Sequence, residues 1–371
     1  MKLLNISILT MLAISLCASE FNTSSPGSKF TERAEKFISS GTKETRGFVI
    51  YFTDKGLYGK EEIERVVSEI QLDEKTLKRR AKTFKRENYL VSFRDIPVNA
   101  DYIKALDLKK IRAVSKWFNF VSAEIDGEKA VGISKLDFVK EIDILPKKGK
   151  IPDMKGEPGS EISKDAFYNL TYDQVNQINV PAVHDLGYHG EGTRLLVIDT
   201  GFKKTHTVFD SLTVVDEWDF IFNDGNVSLD TNDVNTYQEA HGTGCWSIAA
   251  GYDPGTFVGP AFRSDFLLAK TEDYDNEGTV EEDRMVAALE WGEARGADVA
   301  SISLGYSTFD NSADNYTYED MDGQTTICTL GVKYAAYLGM VVCNAMGNEG
   351  NPLTSTWHYL TAPADADSIL S

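Results

Sequence analysis

The chain has 371 residues, 42% of them hydrophobic, enough for one large domain or two ordinary ones with real cores. A net charge of −19 argues against a nucleic-acid partner, and no apolar run after the extreme N-terminus reaches the roughly 18 residues of a membrane span. The charge is unevenly spread: residues 21–150 carry a net +7 and residues 151–371 a net −26, so the first part is electrostatically suited to dock on the second.

In chain order, Met1 and Lys2, the apolar run from Leu3 to Leu16 and the small residues Cys17, Ala18 and Ser19 predict a cleavable secretory signal over residues 1–19. The protein is then expected to be secreted, with the mature chain starting near Glu20. The run is too short for a membrane anchor, and bulky Leu16 disfavours a lipid anchor on Cys17. After a leader over residues 20–46, residues 47–126 predict a small α+β module. It comprises a strand at Phe48–Phe52 and a helix from Lys60 to Ile70, with Ile63, Val66, Val67 and Ile70 at helical spacing. A second strand at Tyr89–Phe93, a short helix at Ala100–Leu108 and at least one strand within Ile111–Ile125 complete it. Residues 127–165, with Lys147, Lys148, Lys150, Pro152, Gly156, Pro158 and Gly159, read as an exposed linker open to proteolysis.

From about Asn169, within residues 166–371, strands alternate with helices, which predicts an α/β fold with a parallel sheet and crossover helices. The strands are Arg194–Asp199, Phe266–Ala269, Asp298–Ser303 and Met340–Ala345. The helices are Gly242–Gly251, an amphipathic Glu281–Arg295 and Thr326–Leu338. Reactive groups gather at the carboxyl ends of strands in such sheets, where Asp199, Ser303 and the loop from Asn344 to Asn348 fall. Cys245, Cys328 and Cys343, an odd number without Cys-x-x-Cys spacing, read as buried thiols with at most one bridge and no metal site. The acidic group Asp216, Asp219, Asp224 and Asp230 lacks ligand spacing and reads as solvated loop.

A general base works best with a pKa near the operating pH, which selects histidine, and an ionised carboxylate behind it fixes the tautomer. His241 opens a helix within His241-Gly242-Thr243-Gly244, and Asp199 ends a strand within Leu195-Leu196-Val197-Ile198-Asp199-Thr200-Gly201. A neutral amide, Asn348 in Met346-Gly347-Asn348-Glu349-Gly350, is a donor suited to a developing oxyanion. The remaining histidines, His184, His189, His206 and His358, read as surface or packing residues. An aspartic protease would need a second Asp-Thr/Ser-Gly in a mostly β chain, and the sequence offers neither.

In order and context these segments, with Ser303-Leu304-Gly305-Tyr306 between them, resemble the subtilisin-like serine endopeptidase (subtilase) family over about 200 residues. The resemblance implies a subtilisin-like parallel sheet flanked by helices, with Asp199 and His241 catalytic, Asn348 in the oxyanion hole and Ser303, Leu304 and Gly305 lining the substrate channel. Val114–Ser122 and Phe48–Phe52 resemble the family's inhibitor-like prodomain, a small α+β (ferredoxin-like) module that packs on the catalytic domain within the same chain. Implied partners are protein or peptide substrates, without nucleic acid or membrane. No cofactor is required, although the family often binds structural calcium. The family's nucleophile sits in a Gly-Thr-Ser motif that occurs nowhere in the sequence. The chain as written is therefore expected to be inactive, with the serine beyond residue 371. The alternative is a truncated pseudoprotease that binds peptide or its own prodomain.

Overall fold

The computed structural model describes residues 28–41, 43–84, 90–144, 166–274, 278–309, 315–348, 350 and 357–371. The signal and most of the expected linker, residues 145–165, lie outside them. Helix α1 (Glu32–Ser39), capped by the Thr31 hydroxyl, precedes the long apolar strand β1 (Arg46–Phe52). There follow α2 (Lys60–Glu69), α3 (Glu74–Thr83), α4 (Ala100–Ala105), the hairpin β2 (Ile111–Ser115) and β3 (Phe120–Ile125), α5 (Gly127–Ser134) and β4 (Val139–Ile144). The strands make an antiparallel sheet in the order β2-β3-β1-β4, in which Ile50 faces Val121 on one side and Ile142 on the other. Phe48, Ile50, Val121, Ala123 and Ile142 form its core with Ala34 of α1 and Ile133 of α5.

Two expectations are corrected here. Residues 127–144 are not linker: β4 closes the sheet on β1, so the first unit runs past residue 126. The strand expected over Tyr89–Phe93 does not form among the described residues, Tyr89 lying outside them. Residues 90–92 are irregular and Phe93–Asp95 is a 3₁₀ turn, because Ser92 caps it and the Asp95 carboxylate accepts from Ser92 N.

The second unit comprises α6 (Tyr172–Gln177), α7 (Val180–Asp185), β5 (Arg194–Asp199), β6 (Thr213–Asp219), α8 (Ala240–Ala250), the short pair β7 (Tyr252–Asp253) and β8 (Phe257–Val258), β9 (Asp265–Lys270), α9 (Val280–Ala294), β10 (Val299–Ile302), α10 (Ile327–Tyr337) and β11 (Val341–Asn344). Five strands form a parallel sheet in the order β11-β10-β5-β9-β6. Central β5 is apolar from Leu195 to Ile198 because both its faces are covered. Leu196 and Ile198 pack with Met285 and Leu289 of α9, whereas Leu195 and Val197 pack with Trp246 of α8.

Helix α9 is where the two units meet, and it overturns the amphipathic expectation. Glu281, Glu282, Asp283, Glu290 and Glu293 are all buried: Glu290 and Glu293 bond to the first unit, whereas Glu281 accepts from Asp273 and Gly278 N–H and Glu282 from Tyr316 and Cys328 within the second. Glu290 accepts from Ser115 Oγ at 2.5 Å and from the backbone N–H groups of Lys116 and Trp117 at 3.0 and 3.1 Å. The Trp117 ring joins the core of the second unit, edge-on to Tyr334 at 5.0 Å between centroids. Helix α3 makes a second anchorage. Arg80 spans Glu293 (2.8 and 2.9 Å) and Asp95 (2.8 and 2.9 Å), and Arg79 also bonds Glu293.

Candidate active site

Parallel pairing of β5 with its neighbours sets the carboxyl ends of the strands along one edge of the sheet. Asp199 ends β5 opposite Lys270 of β9, and Ile302 of β10 pairs with both Ile198 and Asn344. Asp199 is fully buried, and its Oδ1 accepts from Thr200 N at 2.7 Å and from His241 Nδ1 at 2.7 Å. His241 lies in the first turn of α8, its side chain 29% exposed, so the ring has one edge on the carboxylate and another toward solvent.

The glycines around this pair are a packing requirement. A Cβ on Gly242 would lie 2.3 Å from Gly201 O and 2.9 Å from Asp199 Cβ, so the helix approaches the strand end only without a side chain there. Gly201 has φ +139°, a region that L side chains rarely adopt, and a Cβ there would meet Val227 O at 3.0 Å. The Thr200 hydroxyl accepts from Gly242 N at 3.2 Å, tying the two motifs together. Buried Gln238 braces them from below: its amide donates to Thr200 O (2.7 Å) and Glu272 O (2.5 Å) and accepts from Tyr274 N (2.8 Å).

The electrostatics favour a charged imidazole. The hydrogen bond to Asp199 holds His241 well above its ordinary pKa, contact with Cys245 acts the same way, and burial opposes both. Nearby, burial pushes Glu272 up to about 7, although Tyr306 (2.8 Å) and Thr271 (3.0 Å) donate to it. Lys270 is fully buried between Asp219 (3.0 Å) and Asp233 (3.0 Å), anchoring the segment that leads into α8.

The other expected site residues sit at the same edge of the sheet. Ser303 and Leu304 follow β10 and are half-buried, whereas Gly305 is exposed beside Thr361. Asn344 Nδ2 donates to Leu304 O at 3.1 Å, and Tyr306 exchanges backbone hydrogen bonds with Ala362 at 2.7 and 2.9 Å. Asn348 is exposed in the loop after β11, next to Gly347 at φ +104°. Asp199 and His241 are in direct contact, while Asn348 shares their edge of the sheet without a hydrogen bond to either.

The acidic group is corrected in one respect. Asp219 is not solvated but buried against Lys270, and Asp216 pairs with Arg295 at 2.5 Å. Asp230 binds Asn226 and Asn232 side chains instead. Sequence reasoning missed Gln238, Lys270, Glu272 and Cys245. Only Cys245 left a local signal, since it lies four residues after His241 on one helix.

The comparisons with known proteins agree with this architecture. Residues 190–371 match the subtilase family, and residues 47–158 match the peptidase S8 propeptide domain of Bacteroidota. Subtilisin E of Bacillus subtilis (strain 168) is 26% identical over 287 residues, covering 75% of this chain and 64% of that protein. A subtilisin of Bacillus pumilus is 30% identical over 189 residues, covering 50% of this chain and 58% of its own length. The minor extracellular protease Vpr of Bacillus subtilis (strain 168) is 29% identical over 191 residues, covering 51% of this chain and 22% of that protein. The chain thus spans less than two thirds of the length of these relatives. With its propeptide domain seated on an α/β unit that pairs a strand-end aspartate with a helix histidine, the chain belongs to the subtilase family.

Proposed function

We propose that this chain is the precursor of a secreted serine endopeptidase that cleaves peptide bonds by acyl transfer. The observation that carries the reading is the 2.7 Å hydrogen bond from His241 Nδ1 to the buried Asp199 carboxylate, made at the carboxyl edge of a parallel sheet. Asp199 fixes the ring so that Nε2, in the fraction of molecules whose imidazole is neutral, takes a proton from a nucleophile, and its charge stabilises the imidazolium formed. The nucleophile of this reading is a serine brought within reach of His241 Nε2. Asn348 donates to the oxyanion, and Ser303, Leu304 and Gly305 offer backbone to an extended substrate. The propeptide, held through α9, keeps the precursor latent until it is cut away.

The test is a chain that includes a Gly-Thr-Ser segment, assayed with peptide substrates and a serine-directed fluorophosphonate. His241→Ala should abolish both labelling and turnover. Asn348→Ala should lower kcat roughly 10²- to 10³-fold with KM nearly unchanged. Labelling that survives His241→Ala would overturn the assignment.

A further inference from the structure

Gln238, three residues before His241, is 1% exposed, and the acyl-transfer reading gives it no task. Its amide is nevertheless used in full. Nε2 donates to Thr200 O at 2.7 Å and to Glu272 O at 2.5 Å, and Oε1 accepts from Tyr274 N at 2.8 Å. These backbone partners fix which amide atom is which, since a carbonyl only accepts and a backbone N–H only donates. One planar amide supplies the two donors and the acceptor together, whereas a carboxylate lacks the donors and an ammonium lacks the acceptor.

The backbone groups it holds belong to two segments with different duties. Thr200 adjoins Asp199, and each of its polar groups is committed. Its N–H donates to Asp199 Oδ1 at 2.7 Å, its hydroxyl accepts from Gly242 N at 3.2 Å and its carbonyl accepts from Gln238. The orientation of the Asp199–Thr200 peptide, and with it the carboxylate that meets His241 Nδ1 at 2.7 Å, therefore depends on the Gln238 amide. Glu272 and Tyr274 belong to the segment that leaves β9 at the same edge of the sheet, and this segment is itself tied down. Thr271 N donates to Asp199 O at 3.0 Å, and Asp273 N donates to buried Glu281 at 2.9 Å. The Glu272 carboxylate accepts at 2.8 Å from the hydroxyl of Tyr306, one residue past Gly305. Gln238 is thus a strut between a fixed segment and the turn that carries Asp199.

We propose that Gln238 is a positioning residue: through Thr200 it sets the distance and angle between Asp199 and His241, and through Glu272 it holds that pair at a fixed offset from the strand at Ser303–Gly305. Without the amide, two carbonyls and an N–H are left unpaired in a buried site. The turn relieves that cost by rotating, and the rotation carries the Asp199 carboxylate away from Nδ1. The effect on turnover alone rests on the endopeptidase reading of the preceding section. There, a base displaced by an ångström is felt in proton transfer and not in substrate binding.

The test uses the full chain and begins without turnover. The His241 ring protons, including the low-field Nδ1–H shared with Asp199, are followed by NMR against pH in the parent, in Gln238→Met and in Gln238→Asn. The first variant keeps the volume without the polar atoms, and the second keeps the amide one methylene short. In both, the shared proton should move upfield and the ring should titrate lower by about one pH unit or more. Thr171→Val removes another buried hydroxyl, one bonded to Tyr168 O and Val258 O, and should lower Tm while leaving the His241 signals in place. Circular dichroism identifies a variant that fails to fold, and either folded Gln238 variant suffices. Unchanged His241 signals in a folded Gln238 variant, or an equal displacement in Thr171→Val, would overturn the positioning role. The ring measurement decides that role even if the endopeptidase reading fails. In a serine-containing chain, Gln238→Met should lower kcat roughly 10- to 100-fold with KM within about 2-fold. Displaced ring signals with unaltered turnover overturn the consequence for the reaction alone.

Discussion

At the scale of single residues, the Asp199–His241 pair shows how two side chains of ordinary chemistry become a poised unit. Asp199 is desolvated and accepts from the imidazole and from the Thr200 N–H. Because the folded-state pKa of His241 lies above its unfolded value, the pair stabilises the fold fully below the unfolded value, and this contribution is lost as pH rises through the folded one. Asp199→Asn removes the largest cause of the shift. The ring of His241 should then titrate at lower pH than in the parent chain, which an NMR titration of the ring protons will read. An unchanged midpoint would mean that something other than Asp199 holds the proton.

At the scale of elements, α9 has its polar face as deeply buried as its apolar one, because the propeptide sheet and helix α3 cover Glu290 and Glu293 while second-unit groups bond Glu281 and Glu282. Two kinds of contact hold that sheet. Trp117, 3% exposed, is an aromatic anchor in the core of the second unit, and Trp117→Ala should weaken docking by about 2–4 kcal/mol, measurable from the urea dependence of propeptide release. The carboxyl groups are a more delicate contact. Burial pushes Glu282 up to about 7, Asp283 to about 6 and Glu290 to about 6. Arg112 and the Ser122 hydroxyl oppose this at Asp283, and Ser115 with the backbone N–H groups of Lys116 and Trp117 opposes it at Glu290. At Glu282 the opposing donors are Tyr316 and Cys328. These groups are raised in the docked state, so docking takes up protons. Affinity should be greatest below the ordinary carboxyl pKa and fall as pH rises through about 6 to 7. Asp283→Asn should flatten that decline and tighten docking at pH 8, as followed by hydrogen exchange in the propeptide at several pH values. A steeper decline in the variant would show that Asp283 is held ionised by Arg112.

At the scale of the molecule, a net +7 over residues 21–150 faces a net −26 over residues 151–371. Part of this contrast is used at the interface, where Arg79 and Arg80 reach Glu293 and Lys75 reaches Asp298 at 2.9 Å. The rest acts at long range, where salt screens it within about 8 Å at physiological ionic strength. Once the chain is cut within residues 145–165, the association rate of the two pieces should fall as salt is raised, with dissociation much less affected, as stopped-flow mixing will show. A rate indifferent to salt would reduce the charge contrast to solubility.

Four of the five strands of the parallel sheet were readable from sequence because runs such as those of β5, β9 and β10 are short, apolar and bounded by turn residues, a pattern that a buried parallel strand requires, whereas the edge strand β6 and the helices α6 and α7 were not read. Asp199 and His241 were readable because each sits beside glycines that close packing demands, and such glycines leave a local mark. Strand β4 was not readable: Val139–Ile144 alternates with charge and is strand only because β1 has an open edge for it. Nor was the docking of α3, whose arginines meet Glu293 only when the two units fold together. The burial of the α9 carboxylates and the meeting of Cys245 with Asp199 depend on residues far apart in the chain. Local periodicity reports which face of an element is apolar, but what covers its polar face is decided only when the units fold against each other.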